Sequence, residues 1–445
     1  MKVFFRKILT YILQAESKLV LLKYKPKIIA ITGSIGKTST KDAIYAVLSK
    51  ISHVRKSEKS YNSELGLPLT ILGVPNGWNH PFIWLQDIIK GLWLILAPHK
   101  YPKWLILEVG VGKPGDMQKT ASWLKTDAVV ITAIGETPAH IEFFDSRKQL
   151  VEEKSGLIKT LKPDGLLVLN ADDETVLEMG VKSKHRQVTY GFKTGVDVLG
   201  SGDSISYSPT GEPQGLVFRV DIEGNSLPVV IDGVFGNNHI FASLATLALS
   251  SGLKFNILDA INSLKNYDVP PGRMRLLKGI EGTLIIDDTY NSSPQASESA
   301  LQTLGEVKAT ISGAGQAGRK IAILGDMLQL GKHTMEAHKN IGRIAKENAD
   351  VLIVVGQRAL AIQEGAMEAG MSTEGLSDGR TGGLKFLDSR ETGEFVKTFV
   401  KKGDLILVKG SQGMRMERVV EAILFDQENK KNLLVRQDKE WLEKK

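Results

Sequence analysis

Ile28-Ile-Ala-Ile-Thr-Gly-Ser-Ile-Gly-Lys-Thr-Ser-Thr40 decides how the rest of the chain is read. An apolar, β-branched run leads into Gly33, Gly36, Lys37 and Thr38, and a helix-like segment from Lys41 to Leu48 follows at once. Strand, glycine loop, helix is the context of a phosphate-binding loop. Such a loop turns backbone N–H groups toward phosphate, with the positive end of the helix dipole behind them. Lys37 is then placed to reach the β/γ-phosphates, and the Thr38 hydroxyl to bind Mg²⁺. The common pattern has another glycine five positions before Gly36, where this chain has Ile31, so the loop is a variant. The alternative is an ordinary glycine-rich turn. The Lys-Thr pair after a β-branched lead-in argues against it.

The chain has 445 residues, enough for two or three domains with their own cores. Its net charge is +7 and its pI about 9.1. The basic residues are spread along the chain, without a long run, so polyanionic small substrates explain the excess and no nucleic acid is expected. The sequence contains no cysteine, which excludes disulfides, thiolate metal sites and a cysteine nucleophile. That suits a reducing cytoplasm.

Residues 1–27 read as an amphipathic helix, not a removed leader, because Arg6 and Lys7 interrupt the apolar stretch and the helical pattern continues past it. Strand-like runs then recur at Ile28–Thr32, Trp104–Leu107, Ala128–Thr132, Leu166–Asn170, Thr283–Asp287, Lys320–Leu324, Val351–Val355 and Asp404–Val408, mostly separated by helical patterns. The alternation predicts parallel α/β sheets with crossover helices. Between Val188 and Gly233 shorter pieces rich in Gly, Ser and Pro suggest a small antiparallel β flap. Val269-Pro-Pro-Gly272 is the best linker. The expected organisation is a central parallel-sheet domain over 28–268 and a second α/β domain over 269–425. A charged tail over 426–445 should be a solvated helix or frayed end, and Ser312–Gly318 a flexible loop. One segment stands out: Phe82, Trp84, Leu85, Ile88, Ile89, Leu92, Trp93, Leu94 and Leu96 recur at helical spacing, broken by Gln86, Asp87 and Lys90. It is no membrane span. A packed helix is the plain reading, and contact with a membrane surface or partner the sharper one.

Several segments occur in one order: Gly33-Ser-Ile-Gly-Lys-Thr-Ser39, Asn62-Ser-Glu-Leu-Gly-Leu-Pro-Leu-Thr70, Leu107-Glu-Val-Gly110, Pro138-Ala-His-Ile-Glu142, Glu153-Lys-Ser-Gly156, Leu169-Asn-Ala-Asp-Asp173, Gly272-Arg-Met-Arg275, Asp287-Asp-Thr-Tyr-Asn-Ser-Ser-Pro294, Leu324-Gly-Asp-Met-Leu-Gln-Leu-Gly331 and Val408-Lys-Gly-Ser-Gln-Gly-Met-Arg-Met-Glu417. Together they resemble the Mur ligases of peptidoglycan synthesis, from Lys27 to about Leu424. The last three are most similar to the members that add D-alanyl-D-alanine. The resemblance implies a P-loop ATPase domain followed by a Rossmann-like ligase domain. It also implies a reaction: ATP converts a carboxylate to an acyl phosphate, an amine attacks the carbonyl, and phosphate leaves. Positioning and charge neutralisation would be the main catalytic terms.

Residue roles follow from the same resemblance. Gly33, Ser34, Gly36, Lys37, Thr38 and Ser39 would bind ATP, with Thr38 and Glu108 on one Mg²⁺. His140 would bind a second Mg²⁺ together with Lys154, which matches the lysine that the family carbamylates. Lys37, His140 and Lys154 are thus the catalytic candidates. Asn238 and His239 would lie near adenine, and Arg273, Asp288, Tyr290 and Asn291 would contact the nucleotide from the second domain. Asn62, Lys409, Ser411 and Arg415 would face substrate: a nucleotide-linked muropeptide acceptor and a dipeptide or amino-acid amine. A cytoplasmic monomer is expected, and the Trp and Leu content of 81–98 suggests a peripheral membrane or companion-protein contact there.

Read singly, these residues have plainer uses. They include an exposed strand-end carboxylate for Glu108, a structural histidine for His140, a surface lysine for Lys154 and a helix cap for Ser411. The chain also departs from the family pattern. Ala133 stands where Asn is usual, Ser293 for a common Asn, and Gln412 for a common Arg. Only about thirty residues precede Gly33, too few for the family's uridine-binding domain. Two other functions therefore stay open: a related amide ligase with another acceptor, of polyglutamate or cyanophycin type, and a nucleotide-binding regulatory ATPase.

Overall fold

The computed structural model describes residues 2–443 apart from 59–60, 62–63, 79, 136–142, 266, 309–317 and 372–383. Two compact units share the chain. The first comprises residues 1–202, 218–229 and 238–268, and the second 203–217, 230–237 and 269–445.

The first unit is built on β1 (Lys27–Thr32), β2 (Val54–Lys56), β3 (Trp104–Glu108), β4 (Thr126–Ile131), β5 (Leu161–Asn170) and β6 (Arg186–Gly191). These lie in the order β2-β3-β1-β4-β5-β6, all parallel. Five of the six residues of β1 and all five of β3 are buried, as continuous apolar runs require when helices cover both faces of a sheet. The sheet continues through β7 (Val198–Tyr207), β8 (Pro213–Ile222) and β9 (Asn225–Asp232). The expected flap is therefore three full strands that extend the main sheet. Glu223 and Gly224, both at positive φ, make the two-residue turn from β8 to β9.

The helix Lys2–Tyr24 packs against the helix Pro81–Leu96, and both lie on the first unit. Leu9, Leu13 and Val20 bury its inner face in the same core as Ile28, Leu105 and Leu107. Among the described residues no helix is long and apolar enough to cross a membrane.

The second unit holds β10 (Arg275–Lys278), β11 (Leu284–Asp288), β12 (Lys320–Gly325), β13 (Val351–Val355), β14 (Leu384–Phe386) and β15 (Leu405–Lys409). Their order is β10-β11-β15-β12-β13-β14, parallel except for the antiparallel edge strand β10. Except for Gly318, the loop Ser312–Gly318 lies outside the described residues.

The tail, expected as a solvated helix or frayed end, is helical in part and anchored between its helices. It forms two short helices, Lys430–Leu433 and Lys439–Leu442, and Leu434 and Val435 between them are buried. Leu433-Leu434-Val435 carries enough apolar surface to hold a charged segment on the core.

Candidate active site

In the first unit the loop after β1 is held by the end of β4. The Ser34 and Ile35 N–H groups donate to the Ala133 carbonyl at 2.6 and 3.1 Å, and the Thr132 hydroxyl donates to the Ile35 carbonyl at 2.6 Å. Ala133 thus works through its backbone. Gly33 sits at φ 146°, where any Cβ would collide with the Thr132 side chain. Gly36, at φ 82°, is the left-handed residue that opens the helix Lys37–Ile51. Both positions need glycine.

Two cations meet on this loop. Lys37 Nζ donates to the Gly33 carbonyl at 3.0 Å, and Lys154 Nζ donates to the same oxygen at 2.9 Å. Lys154 lies near the end of the helix Arg147–Ser155 and is buried. Its neighbour Glu153 accepts from the N–H groups of Gly115 and Met117, which ties that helix in place. Burial, and then the nearby Lys37 charge, push the Lys154 amine down to about 7.

Beside them, the Thr38 hydroxyl donates to Glu108 Oε2 at 3.0 Å. The register that pairs Ile31 with Glu108 explains this: Glu108 ends β3 level with the next-to-last residue of β1, just before the loop. Lys41 Nζ lies 3.9 Å from the same carboxylate oxygen. Sequence reading missed Lys41. Its signal was the four-residue spacing from Lys37, which sets both on one helix face.

Do these residues fit a magnesium nucleotide? The Ser34 hydroxyl oxygen is buried without a hydrogen-bond partner among the described residues. A buried polar atom in that position wants a ligand atom. Thr38 and Glu108 offer the hard oxygens that Mg²⁺ takes. Two ammonium groups at a helix N-terminus suit phosphate. The donor set fits.

Of the other first-unit candidates, His239 is buried, and its Nδ1 pairs with the Tyr267 hydroxyl. Asn238 is half-buried beside it. Asn62 and His140 lie outside the described residues. Among those described, no group of three or more His, Cys, Asp or Glu side chains forms a metal cluster.

In the second unit the strand register pairs Asp288 directly with Lys409. Lys409 Nζ lies 2.5 Å from Asp288 Oδ2 and donates to the Asn291 carbonyl at 3.0 Å. Ser411 accepts from the Leu328 N–H at 2.8 Å. Asp287 is fully buried, and burial pushes its carboxyl up to about 6. It accepts from the Gly272 and Thr289 N–H groups and the Thr289 hydroxyl, which fixes the loop leading to Tyr290.

Tyr290 carries the Arg273 guanidinium 3.9 Å over its ring. Arg436, from the tail, donates to the Thr289 and Tyr290 carbonyls and to Glu417. Arg415 donates to Glu417 at 2.5 Å and to the Trp441 carbonyl at 2.9 Å. The candidates Arg273, Asp288, Tyr290, Asn291, Lys409, Ser411 and Arg415 are thus gathered at one end of this sheet. Arg436, Trp441 and Glu417 are the partners that sequence reading missed.

A parallel sheet with a glycine loop between its central strand and the next helix defines an α/β protein of the phosphate-binding-loop class. Comparison with known proteins narrows this. Residues 31–249 match the model "Mur ligase middle domain", and residues 272–412 match "Mur ligase, glutamate ligase domain". A UDP-N-acetylmuramoyl-tripeptide–D-alanyl-D-alanine ligase of Bacillus subtilis (strain 168) is 30% identical over 93% of this chain and 79% of its own length. A MurF ligase from Thermotoga maritima, solved in complex with ADP, superposes with a TM-score of 0.72 at 25% identity, covering 95% of this chain and 84% of that one. A MurF from Acinetobacter baumannii shares the fold, with a TM-score of 0.71 at 24% identity over 92% and 79% of the two chains. The chain belongs to the Mur ligase family.

Proposed function

We propose that this protein is an ATP-dependent carboxylate–amine ligase that adds D-alanyl-D-alanine to a UDP-muramoyl tripeptide in peptidoglycan synthesis. The acceptor carboxylate takes the γ-phosphoryl group of ATP, giving an acyl phosphate and ADP. The dipeptide amine attacks that carbonyl, loses a proton, and inorganic phosphate leaves.

The observation that carries this reading is the convergence of Lys37 and Lys154 on one carbonyl beside the Thr38–Glu108 pair. Two anions must be brought together: the Lys37 ammonium would neutralise phosphate, and Lys154, once carbamylated, would offer oxygens to Mg²⁺. Gly33, Ser34, Gly36, Lys37, Thr38 and Ser39 cradle the triphosphate. Thr38 and Glu108 would hold one Mg²⁺ and His140 with Lys154 a second; when bound, the ions neutralise phosphate charge.

Lys154 supports a carbamate for a physical reason. An amine with pKa near 7 is largely neutral at slightly alkaline pH, and only the neutral amine adds CO₂. The product is an anion, which relieves the repulsion from Lys37. Arg273, Asp288, Tyr290, Asn291, Asn238 and His239 are assigned to the nucleotide, and Asn62, Lys409, Ser411 and Arg415 to substrate. The protein works as a cytoplasmic monomer, and Pro81–Pro98 gives it a surface contact.

A phosphate-release screen of UDP-muramoyl peptides of different lengths against several dipeptides and amino acids tests the assignment. Release with the tripeptide and D-alanyl-D-alanine, exceeding that with shorter acceptors or single amino acids, is expected. Turnover only with another acceptor class would replace it.

A further inference from the structure

The helix Pro81–Leu96 is apolar on both sides, but only one side has a protein partner. Trp84, Asp87 and Gly91 are buried on its inner side. The Glu16 carboxylate lies so close over Gly91 that a Cβ there would strike it. Lys23 Nζ donates to the carbonyls of Leu94, Ile95 and Ala97 at 3.0, 2.8 and 2.6 Å, which locks the helix end. The outer side carries Phe82, Leu85, Ile89, Leu92, Trp93 and Leu96, between 46% and 80% exposed. Their spacing, mostly three or four residues, makes one stripe along about four turns. Such a patch marks an interaction surface.

Charge identifies what it meets. On the helices Lys2–Tyr24 and Pro81–Leu96, every described exposed charged side chain is a cation: Arg6, Lys7, Lys18, Lys23 and Lys90. The two acids, Glu16 and Asp87, are 4% and 0% exposed, with no hydrogen-bond partner for their carboxylates among the described residues. At the C-terminal end of the helix pair, Lys25, Lys27 and Lys103 line a groove of about 390 Å³ with Tyr24 and Tyr101. Negative charge has been removed from this surface even at the cost of burying it.

We propose that the outer stripe of Pro81–Leu96 docks on an anionic phospholipid bilayer. The helix lies in the headgroup region with Phe82, Ile89 and Trp93 toward the acyl chains and Lys18 and Lys90 on lipid phosphates. An apolar stripe flanked by cations is the pattern of interfacial helices, and anionic leaflets attract such segments. A second copy of this chain is disfavoured, because pairing the stripe with itself would set cation against cation. The inference rests on reading Pro81–Pro98 as a contact surface and is independent of the ligase chemistry.

Co-sedimentation of the full chain with phosphatidylcholine vesicles, and with vesicles holding a third phosphatidylglycerol, tests it. Expected is binding to the anionic vesicles at least tenfold tighter than to the neutral ones, weakening as salt rises. Leu85→Ser/Ile89→Ser/Trp93→Ser should lower that binding at least tenfold, and Lys18→Glu/Lys90→Glu should abolish the preference for anionic lipid. Both variants should keep wild-type circular dichroism and vesicle-free phosphate release, which separates this test from the test of function. Equal weak binding to both vesicle types would overturn the proposal. So would undiminished binding by the triple variant, or a dimer in sedimentation velocity that the triple variant alone dissolves.

Discussion

At the residue scale, the first-unit site is organised around the Gly33 carbonyl, which two ammonium groups share. Lys37→Ala removes the charge that the proposed function sets on the phosphates. Phosphate release should fall by about 10²–10³, as when one preorganised donor is lost from a dry site. Nucleotide-dependent turnover near the wild-type rate would reject the loop assignment. Lys154 makes a sharper prediction, because its pKa of about 7 falls inside the accessible range. The neutral amine increases as pH rises from 6 to 8, so native mass spectrometry in bicarbonate should show one CO₂ adduct growing over that window. An ordinary lysine would stay below about 1% neutral there. Lys154→Ala should be inactive and partly restored by a small added carboxylate. A fully active variant, with no adduct in the parent, would remove the carbamate.

At the element scale, the helix pair Lys2–Tyr24 and Pro81–Leu96 buries an acid on each partner. Burial pushes Glu16 up to about 7 and Asp87 to about 6. A carboxyl whose folded pKa is raised favours the fold while protonated. That stability is present below the unfolded pKa of about 4.5 and is lost as pH rises toward 7. Glu16→Gln should therefore melt later than the parent at pH 8, by on the order of 2–3 kcal/mol, and alike at pH 4.5. Equal melting at both values would show that Glu16 is solvated.

The tail offers the opposite case, a satisfied buried charge. Arg436 is buried against Glu417 and two backbone carbonyls. Arg436→Ala leaves Glu417 with Arg415 but strips the carbonyls, so urea unfolding of the second unit should shift by about 2–3 kcal/mol. No shift would mean the tail is only laid on the surface.

These two elements also mark what the sequence made legible. The long buried strands were readable, because continuous β-branched runs bounded by polar loops have few other uses. Lys37 and Thr38 stood out because a motif fixes their spacing; Glu108, seventy positions on, stood out only through the loop and the family resemblance. Arg436 was not. Its partner Glu417 is nineteen positions away, and a charged tail reads as solvated unless three apolar residues are given more weight than their neighbours. The strands β7 to β9 were seen only as fragments, since their half-exposed residues alternate weakly.

At the scale of the whole molecule, the lysines and arginines are spread along the chain without a long run of either. ATP turnover should therefore depend on a carboxylate acceptor plus an amine, with no stimulation by single- or double-stranded DNA or RNA at physiological salt. Stimulation by nucleic acid in the absence of an amine would favour the regulatory ATPase instead.

The placement of β1 between β3 and β4 has a temporal consequence. The loop near the N-terminus takes its shape from Thr132 and Ala133, about a hundred residues later. Closing such long-range contacts is slow compared with forming the helix that follows the loop. A chain emerging from the ribosome therefore displays the whole phosphate motif well before that motif can hold a nucleotide. Capture of ATP becomes a late event of synthesis, set by the arrival of β4 and not by the position of the glycines.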